Sequence, residues 1–443
     1  MYFFLFFLYA VVTTVALPVN TTYSENFAVF LNEDEFEDYL DALLERRYKS
    51  ISHTSHRSSG CTIQVNGDLG VPQPVYIYKN DYLTPIGNTG AIQLRKGEEV
   101  TIACTGSKGK INHPNIFASV DIGTARCESN AYVTGPGWLE GKSAFVNLTC
   151  SSNSDHNAVL TSDRCFNNNV VIRVGYTVNN IFYPLYWSCF DQKKLEVLYV
   201  WYDQNPSNAI HQVNVERPSW KADKFFPGVD INKLYTINQQ RLTIENYLGY
   251  DLANKYVTNS QYLSRGHLAA KTDFIYATGQ RATFYFINSA PQWQSFNNGN
   301  WNGLEQSLRT RIGDAGYNTI VYSGTYGVLQ LLDEDNNLID IYLNPHRNDT
   351  RQVPVPLYYY KVVHDRARRL GTAFIGINNP HITLNEAHRL QFCKDQCRNN
   401  SAFNWLRWQP DVVTRGYSFC CSIQDFRRTV PHLPAFTVDG LLS

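Results

Sequence analysis

The sequence predicts an α+β protein in which a β-rich, disulfide-containing domain precedes a domain of mixed strands and helices. Three observations lead there. Residues 61 to 199 hold short strand-like runs separated by Gly, Asn, Pro and Ser clusters. After residue 200, strand-like runs alternate with stretches of helical spacing. The ten cysteines divide into Cys61, Cys104, Cys127, Cys150, Cys165 and Cys189 on one side and Cys393, Cys397, Cys420 and Cys421 on the other. Both sets are even, so each can close its own bridges. At 443 residues the chain has room for two cores.

Residues 1–16 open on an apolar run from Tyr2 to Val12 and close on Thr14-Val15-Ala16, a small-residue cleavage pattern. They read as a secretory signal peptide, although positive charge is missing at the start. No later run reaches membrane-spanning length. A secreted, soluble protein is therefore expected, without a membrane. Residues 17–58 are set apart by charge. Residues 1–57 contain 4 Lys/Arg and 8 Asp/Glu, so of the chain's 39 and 39 the remainder keeps 35 and 31, a net of +4. An acidic pro-segment covering a basic groove accounts for this as well as a solvated leader does. Sequons at Asn20, Asn147, Asn348 and Asn399 fit a glycoprotein.

Residues 59–199 form the expected β-rich accessory domain, with strand-like runs at Val75–Lys79, Val100–Cys104 and Val170–Tyr176. His113 and His156 are solitary and carry no constellation. Substrate contact, attachment to another surface, and support for the second domain all remain open as roles.

Residues 200–443 form the second domain. Ser264-Arg265-Gly266-His267 is followed by Ala282–Asn288, rich in aromatic and β-branched residues and read as a strand. Beyond it, Asn297, Trp301, Glu305 and Arg309 recur every fourth residue, one stripe of a helix that Leu304, Leu308 and Ile312 would anchor to a core. Strand-like runs follow over 320–343, and Leu357–Val363 with Ala373–Ile377 reads as a hairpin around the basic turn 364–369. Cys393 and Cys397 stand a helical turn apart, and Cys420 and Cys421 would point oppositely from a strand. Bridges suit an oxidising compartment better than a zinc site, since vicinal cysteines chelate a tetrahedral ion poorly.

The order and spacing from Ser264 to Arg309 resemble the ββα-metal active site of the DNA/RNA non-specific endonuclease family. That family usually opens on Asp-Arg-Gly-His-Leu-Ala-Pro-Ala-x-Asp-Phe, and here Ser264-Arg-Gly-His-Leu-Ala-Ala-Lys-Thr-Asp273-Phe274 stands in its place. With Ser264 for Asp, the chain looks closest to the secreted double-stranded ribonucleases of insect gut. Arg217–Lys221, Thr319–Gly324 and Tyr360–Val363 also look familial. The resemblance implies a Mg²⁺-dependent (alternatively Mn²⁺-dependent) endonuclease that cleaves RNA, double-stranded RNA above all, and DNA with little sequence specificity. It further implies a digestive role in the gut lumen. Oligomeric state is left open.

Carried over residue by residue, His267 becomes the general base and Asn297 the direct ligand of the cation. Glu305 would hold metal-bound water, while Arg309, Arg217 and Arg265 would neutralise phosphate charge. Asn288 would orient the site or touch substrate. Ser264 can orient neighbours but cannot raise the basicity of His267 by charge as an aspartate would. Binding should weaken with salt, and activity should rise from about pH 6 to about 8 as the imidazole loses its proton. Each residue also has an ordinary explanation: a loop histidine, a turn asparagine, and a Glu305/Arg309 helix pair worth roughly 0.2–0.5 kcal/mol. A secreted nucleic-acid-binding or adhesive glycoprotein on an inactive nuclease scaffold is the competing function. The mitochondrial enzyme of the same fold fits less well, because residues 1–16 lack an Arg-rich amphipathic pattern.

Overall fold

The computed structural model describes residues 60–443, except 114, 115, 117, 118, 137, 139, 140 and 346–350. The signal peptide, the acidic segment and the sequons at Asn20 and Asn348 therefore lie outside the described residues. Asn147 and Asn399 are both exposed.

The first domain is all-β. Its six-stranded antiparallel sheet is built around Val75–Tyr78, Glu99–Ala103 and Ile122–Ser129, with a separate pair Gly60–Gln64 and Ala91–Arg95. Alternation places Val100 and Ile102 in the core while Glu99 stays outside. Cys61–Cys127 and Cys104–Cys150 staple this core. A domain this small gains much from such bridges, each worth about 2–4 kcal/mol.

An eight-stranded antiparallel sheet organises the rest. Its order is Asn157–Arg164, Val170–Val178, Ile181–Asp191, Glu196–Gln204, Thr319–Val328, Pro356–Asp365, Leu370–Ile377 and Ser418–Cys421. Four of these strands begin before residue 200, so the boundary expected at 199/200 falls inside one hydrogen-bonded sheet. The reason lies in register: Tyr199 pairs with Gly324 and Gln204 with Thr319, which commits the strand Glu196–Gln204 to the second half. The expected hairpin is present, with Pro356–Asp365 against Leu370–Ile377. Cys165–Cys189 lies in this sheet, and Cys393–Cys421 with Cys397–Cys420 fasten its last strand. Every bridge stays within its own cysteine set. Among the described residues all ten cysteines are oxidised, which removes the zinc alternative. Among the described residues, no helix is long and apolar enough to cross a membrane.

Residues 205–318 leave this sheet and return to it, and they carry the predicted site. Leu263–His267 pairs antiparallel with Ser289–Trp293, and the helix Asn302–Ala315 follows. Two expectations need correcting here. The strand is Ser289–Trp293, not Ala282–Asn288. Residues 282–288 turn and form a short 3-10 helix, because Phe284 and Phe286 are drawn against Trp220 while Tyr285 packs on His156. Nor is Asn297–Arg309 one regular helix. Asn297–Trp301 is a π-type turn in which Gly299 has ψ −117°, and only from Asn302 does α-helical geometry run. A Cβ at Gly299 would stand 2.7 Å from the Arg415 carbonyl oxygen, so a side chain has no room there. Leu304, Leu308 and Ile312 are buried as expected, and left-handed Gly316 (φ 64°) ends the helix.

Candidate active site

The strand Leu263–His267 is pinned at both ends. Gln240, on the helix Ile237–Leu248, takes the Leu263 N–H (2.8 Å) and donates to the Leu263 carbonyl (2.8 Å). At the other end, Leu268 N–H bonds the Asn288 carbonyl. Asn378 fixes the partner strand by accepting from Trp293 N–H (2.9 Å) and donating to the Pro291 carbonyl (3.0 Å). The site therefore rests on rigid backbone, not on a free loop.

Asn297 reaches this strand directly, its Nδ2 donating to Ser264 Oγ at 3.2 Å while Ser264 Oγ donates to the Gln292 carbonyl at 2.9 Å. Using its nitrogen as donor turns the amide oxygen the other way, as an acceptor for a cation. His267 lies three residues along the same strand, about 10 Å from Ser264 in Cα terms at extended spacing. Asn297, from the turn Asn297–Trp301, is thus tied through Ser264 to the strand that ends on His267.

His267 keeps 6 % of its surface exposed and packs against Trp220 (4.6 Å) and Phe284 (4.9 Å). Its Nε2 lies 3.3 Å from Thr283 Oγ1, and that hydroxyl donates its own proton to the Gln280 carbonyl at 2.7 Å. A hydroxyl with its proton committed can only accept, so Nε2 carries the hydrogen and Nδ1 keeps the lone pair. Burial, then the charges of Arg217, Lys271 and Lys361, hold the imidazole well below the ordinary histidine pKa. The rise in activity expected between pH 6 and 8 therefore moves to more acid pH.

Glu305 sits one turn into the helix, with 14 % of its side chain open. Its Oε1 lies 3.3 Å from Lys361 Nζ, a buried ion pair. Burial pushes its carboxyl up to about 7, and Lys361 opposes that shift. Lys361 also donates to the carbonyl of Leu268 (2.9 Å), the residue after His267. Asn288 is fully buried, taking the Ala269 N–H (2.9 Å) and donating to the carbonyls of Ala269 and Thr283. It orients the loop on both sides of His267 and does not face outward.

The arginines separate. Arg217 joins the site, its guanidinium 5.4 Å over the Phe284 ring that touches His267. Arg265 lies over Tyr235 and Phe286 and donates to the Asn232 carbonyl (3.4 Å). Arg309 departs from expectation: it is buried and bonds Asp273 Oδ1 at 2.7 Å. Asp273 also accepts from Tyr202 (2.6 Å) and Gln204 (3.1 Å), with Lys361 3.8 Å away. Glu305 and Arg309 thus have separate partners instead of pairing as helix neighbours. Lys361, Asp273 and Thr283 were the residues missed. A lysine inside the apolar run Leu357–Val363 was a readable sign, whereas nothing marked Thr283.

Comparison with known sequences agrees with this geometry. The DNA/RNA non-specific endonuclease profile matches residues 167–426, more than half of the chain. The chain belongs to that family. As a nuclease-family member it is expected to act on nucleic acid, and the family is generally dependent on a divalent metal. The match begins at 167, inside the eight-stranded sheet and ahead of the boundary read from sequence. Relatives include a "Salivary endonuclease" of Lutzomyia longipalpis, 27% identical over 378 residues and covering 84% of each chain. The "Salivary protein Tsal1" of Glossina morsitans morsitans is 26% identical over 377 residues, 80% of this chain and 85% of its own length. A solved chain from an EndoG/EndoGI complex aligns with 58% of this chain and 87% of itself at 18% identity. Its TM-score of 0.35 is too low to carry an argument.

Proposed function

We propose that the protein is a secreted, divalent-metal-dependent endonuclease that hydrolyses phosphodiester bonds in RNA, double-stranded RNA included, and in DNA. The observation that carries this is the single strand Leu263–His267, which bonds Asn297 through Ser264 and ends on His267. His267 Nδ1 takes a proton from the attacking water, with Nε2–H held by Thr283. Arg217 faces the negative charge that gathers on the phosphate. Among the residues suited to a cation, the Asn297 oxygen would ligate it directly and Glu305, held by its ion pair with Lys361, would take hydrogen bonds from its water. When bound, Mg²⁺ or Mn²⁺ supplies Lewis-acid stabilisation of the leaving oxygen. Sequence selectivity is expected to be low, since phosphate contacts carry little base information.

Secretion is supported by the signal-like residues 1–16, the five disulfides and relatives whose names call them salivary. Work on nucleic acid in a secreted fluid fits these better than work inside mitochondria. The acidic residues 17–58 are proposed as a removable pro-segment, and Asn147 and Asn399 as glycan acceptors. One gel tests the central claim: full-length protein with double-stranded RNA, single-stranded RNA and plasmid DNA, each with Mg²⁺ or EDTA. Cleavage that survives EDTA, or that His267→Ala leaves intact, would remove this mechanism.

A further inference from the structure

The first domain is not merely attached to the second. Ile275 and Tyr276, which lie eight and nine residues after His267, are buried in the core of the first domain alongside Tyr76, Leu83 and Phe145. Tyr276 stacks edge-on against Tyr76 at 5.7 Å and donates its hydroxyl proton to the Leu83 carbonyl at 2.8 Å. Gln73 of the same domain accepts from Thr278 N–H (3.3 Å). Residues 274–283, the loop that leads from the His267 motif to Thr283, thus depend on a foreign core for their shape.

A second thread reaches the same place by hydrogen bonds alone. Asn66, in the first domain, grips the backbone of residues 211–213 with both ends of its amide: Nδ2 donates to the His211 carbonyl (2.9 Å) and Oδ1 accepts from Val213 N–H (3.1 Å). Between them Gln212 accepts from Ala277 N–H through its side chain (2.7 Å), and its carbonyl accepts from Gln280 Nε2 (2.9 Å). The Gln280 carbonyl then receives the Thr283 hydroxyl proton, the step that leaves Thr283 able only to accept from His267. We propose that the first domain is a positioning element for His267, acting through Asn66, Gln212, Gln280 and Thr283. This rests on the nuclease reading for its consequence in rate, but the orientation of the ring stands on the hydrogen bonds themselves. Of the residues 59–199 whose role was left open, those ahead of the eight-stranded sheet become support for the imidazole.

Asn88 supplies a matched control, because it too crosses between domains, bonding Asp314 at 3.1 Å, but leads nowhere near Thr283. The experiment compares full-length Asn66→Ala, Asn88→Ala, Thr283→Val and the pair Asn66→Ala/Thr283→Val on one RNA substrate. Asn66→Ala is expected to lose about tenfold in kcat, less than the roughly hundredfold of a full 1 Å misplacement, with KM unchanged. Asn88→Ala should leave both constants alone. The pair should be no slower than Thr283→Val, because one relay can be broken only once. Multiplying effects, or equal loss in the Asn66 and Asn88 variants, would overturn the proposal. If Asn66→Ala does not fold, Asn66→Asp keeps the acceptor for Val213 but sets a carboxylate oxygen against the His211 carbonyl in place of the donor, with the same sign expected. Imidazole nitrogen spectra of ¹⁵N-histidine-labelled protein give an independent readout. His267 should show one Nε2–H tautomer in the wild type and a shifted or mixed signal in Asn66→Ala, and identical spectra would refute the relay. Should the wild type cut nothing, the nuclease reading fails while the spectra still decide this one.

Discussion

Replacing Asp273 by alanine should destabilise the protein more than any other single change near the site. Its carboxylate accepts hydrogen bonds from Arg309 (2.7 Å), Tyr202 (2.6 Å) and Gln204 (3.1 Å) and lies 3.8 Å from Lys361, with 3 % of the side chain exposed. Two carboxylates, Asp273 and Glu305, balance two cations, Arg309 and Lys361, in this cluster. Removing one carboxylate leaves a net buried positive charge. Breaking a buried pair in this way costs about 3–5 kcal/mol, against a typical total of about 5–15. Urea unfolding followed by tryptophan fluorescence, with the disulfides intact, measures it. Asp273→Asn/Arg309→Met should be milder than Asp273→Asn alone, since the double change restores neutrality. A loss below about 1 kcal/mol for Asp273→Ala, or a double variant worse than the single, would refute the idea that charge balance holds the cluster.

Three further outcomes are expected. Because His267 acts as a base only when neutral and its pKa is held low, its own protonation should lower kcat/KM only at acid pH; a midpoint near 7 that persists in Glu305→Gln, which removes the carboxyl pushed up to about 7, would contradict this. Ser264→Ala frees the Asn297 amide and should raise the half-saturating Mg²⁺ concentration roughly tenfold, whereas Ser264→Asp, which keeps an acceptor for Asn297, should remain active. His156 and His432, buried and pushed down to about 3 and about 4, cannot take up protons that the unfolded chain takes up below about pH 6.5. Stability from each is present at neutral pH and lost as pH falls, about 2 kcal/mol per histidine by pH 5, which guanidinium unfolding at pH 7.5 and 5 would detect.

Much of the candidate site was legible because the proposed chemistry needs particular side chains in a particular order along the chain. His267, Asn297 and Glu305 follow one another through a strand pair and a helix, so a linear motif captured them. The apolar stripe Leu304, Leu308 and Ile312 was legible for the same reason. What escaped reading was set by distant partners. The run Ala282–Asn288 has strand composition, yet Trp220 and the neighbouring phenylalanines fold it into a turn. Arg309 has the spacing of a site residue, but Asp273, 36 positions away, claims its guanidinium. The domain boundary was misplaced because the strands up to Gln204 look alike in sequence, whichever sheet they join.

The irregular turn at Asn297 has a consequence for the conditions this protein can tolerate. Asn300, three residues on, is clamped by the Gln409 carbonyl, the Gln409 N–H and the Gly416 carbonyl. Those residues belong to the segment enclosed by Cys397–Cys420 and Cys393–Cys421. The ligand proposed for the cation is thus moulded by a covalently closed loop about a hundred residues downstream. A reducing milieu would slacken that mould and blunt affinity for the ion while the broad sheet still stood, so thiol exposure should silence this molecule well before it melts.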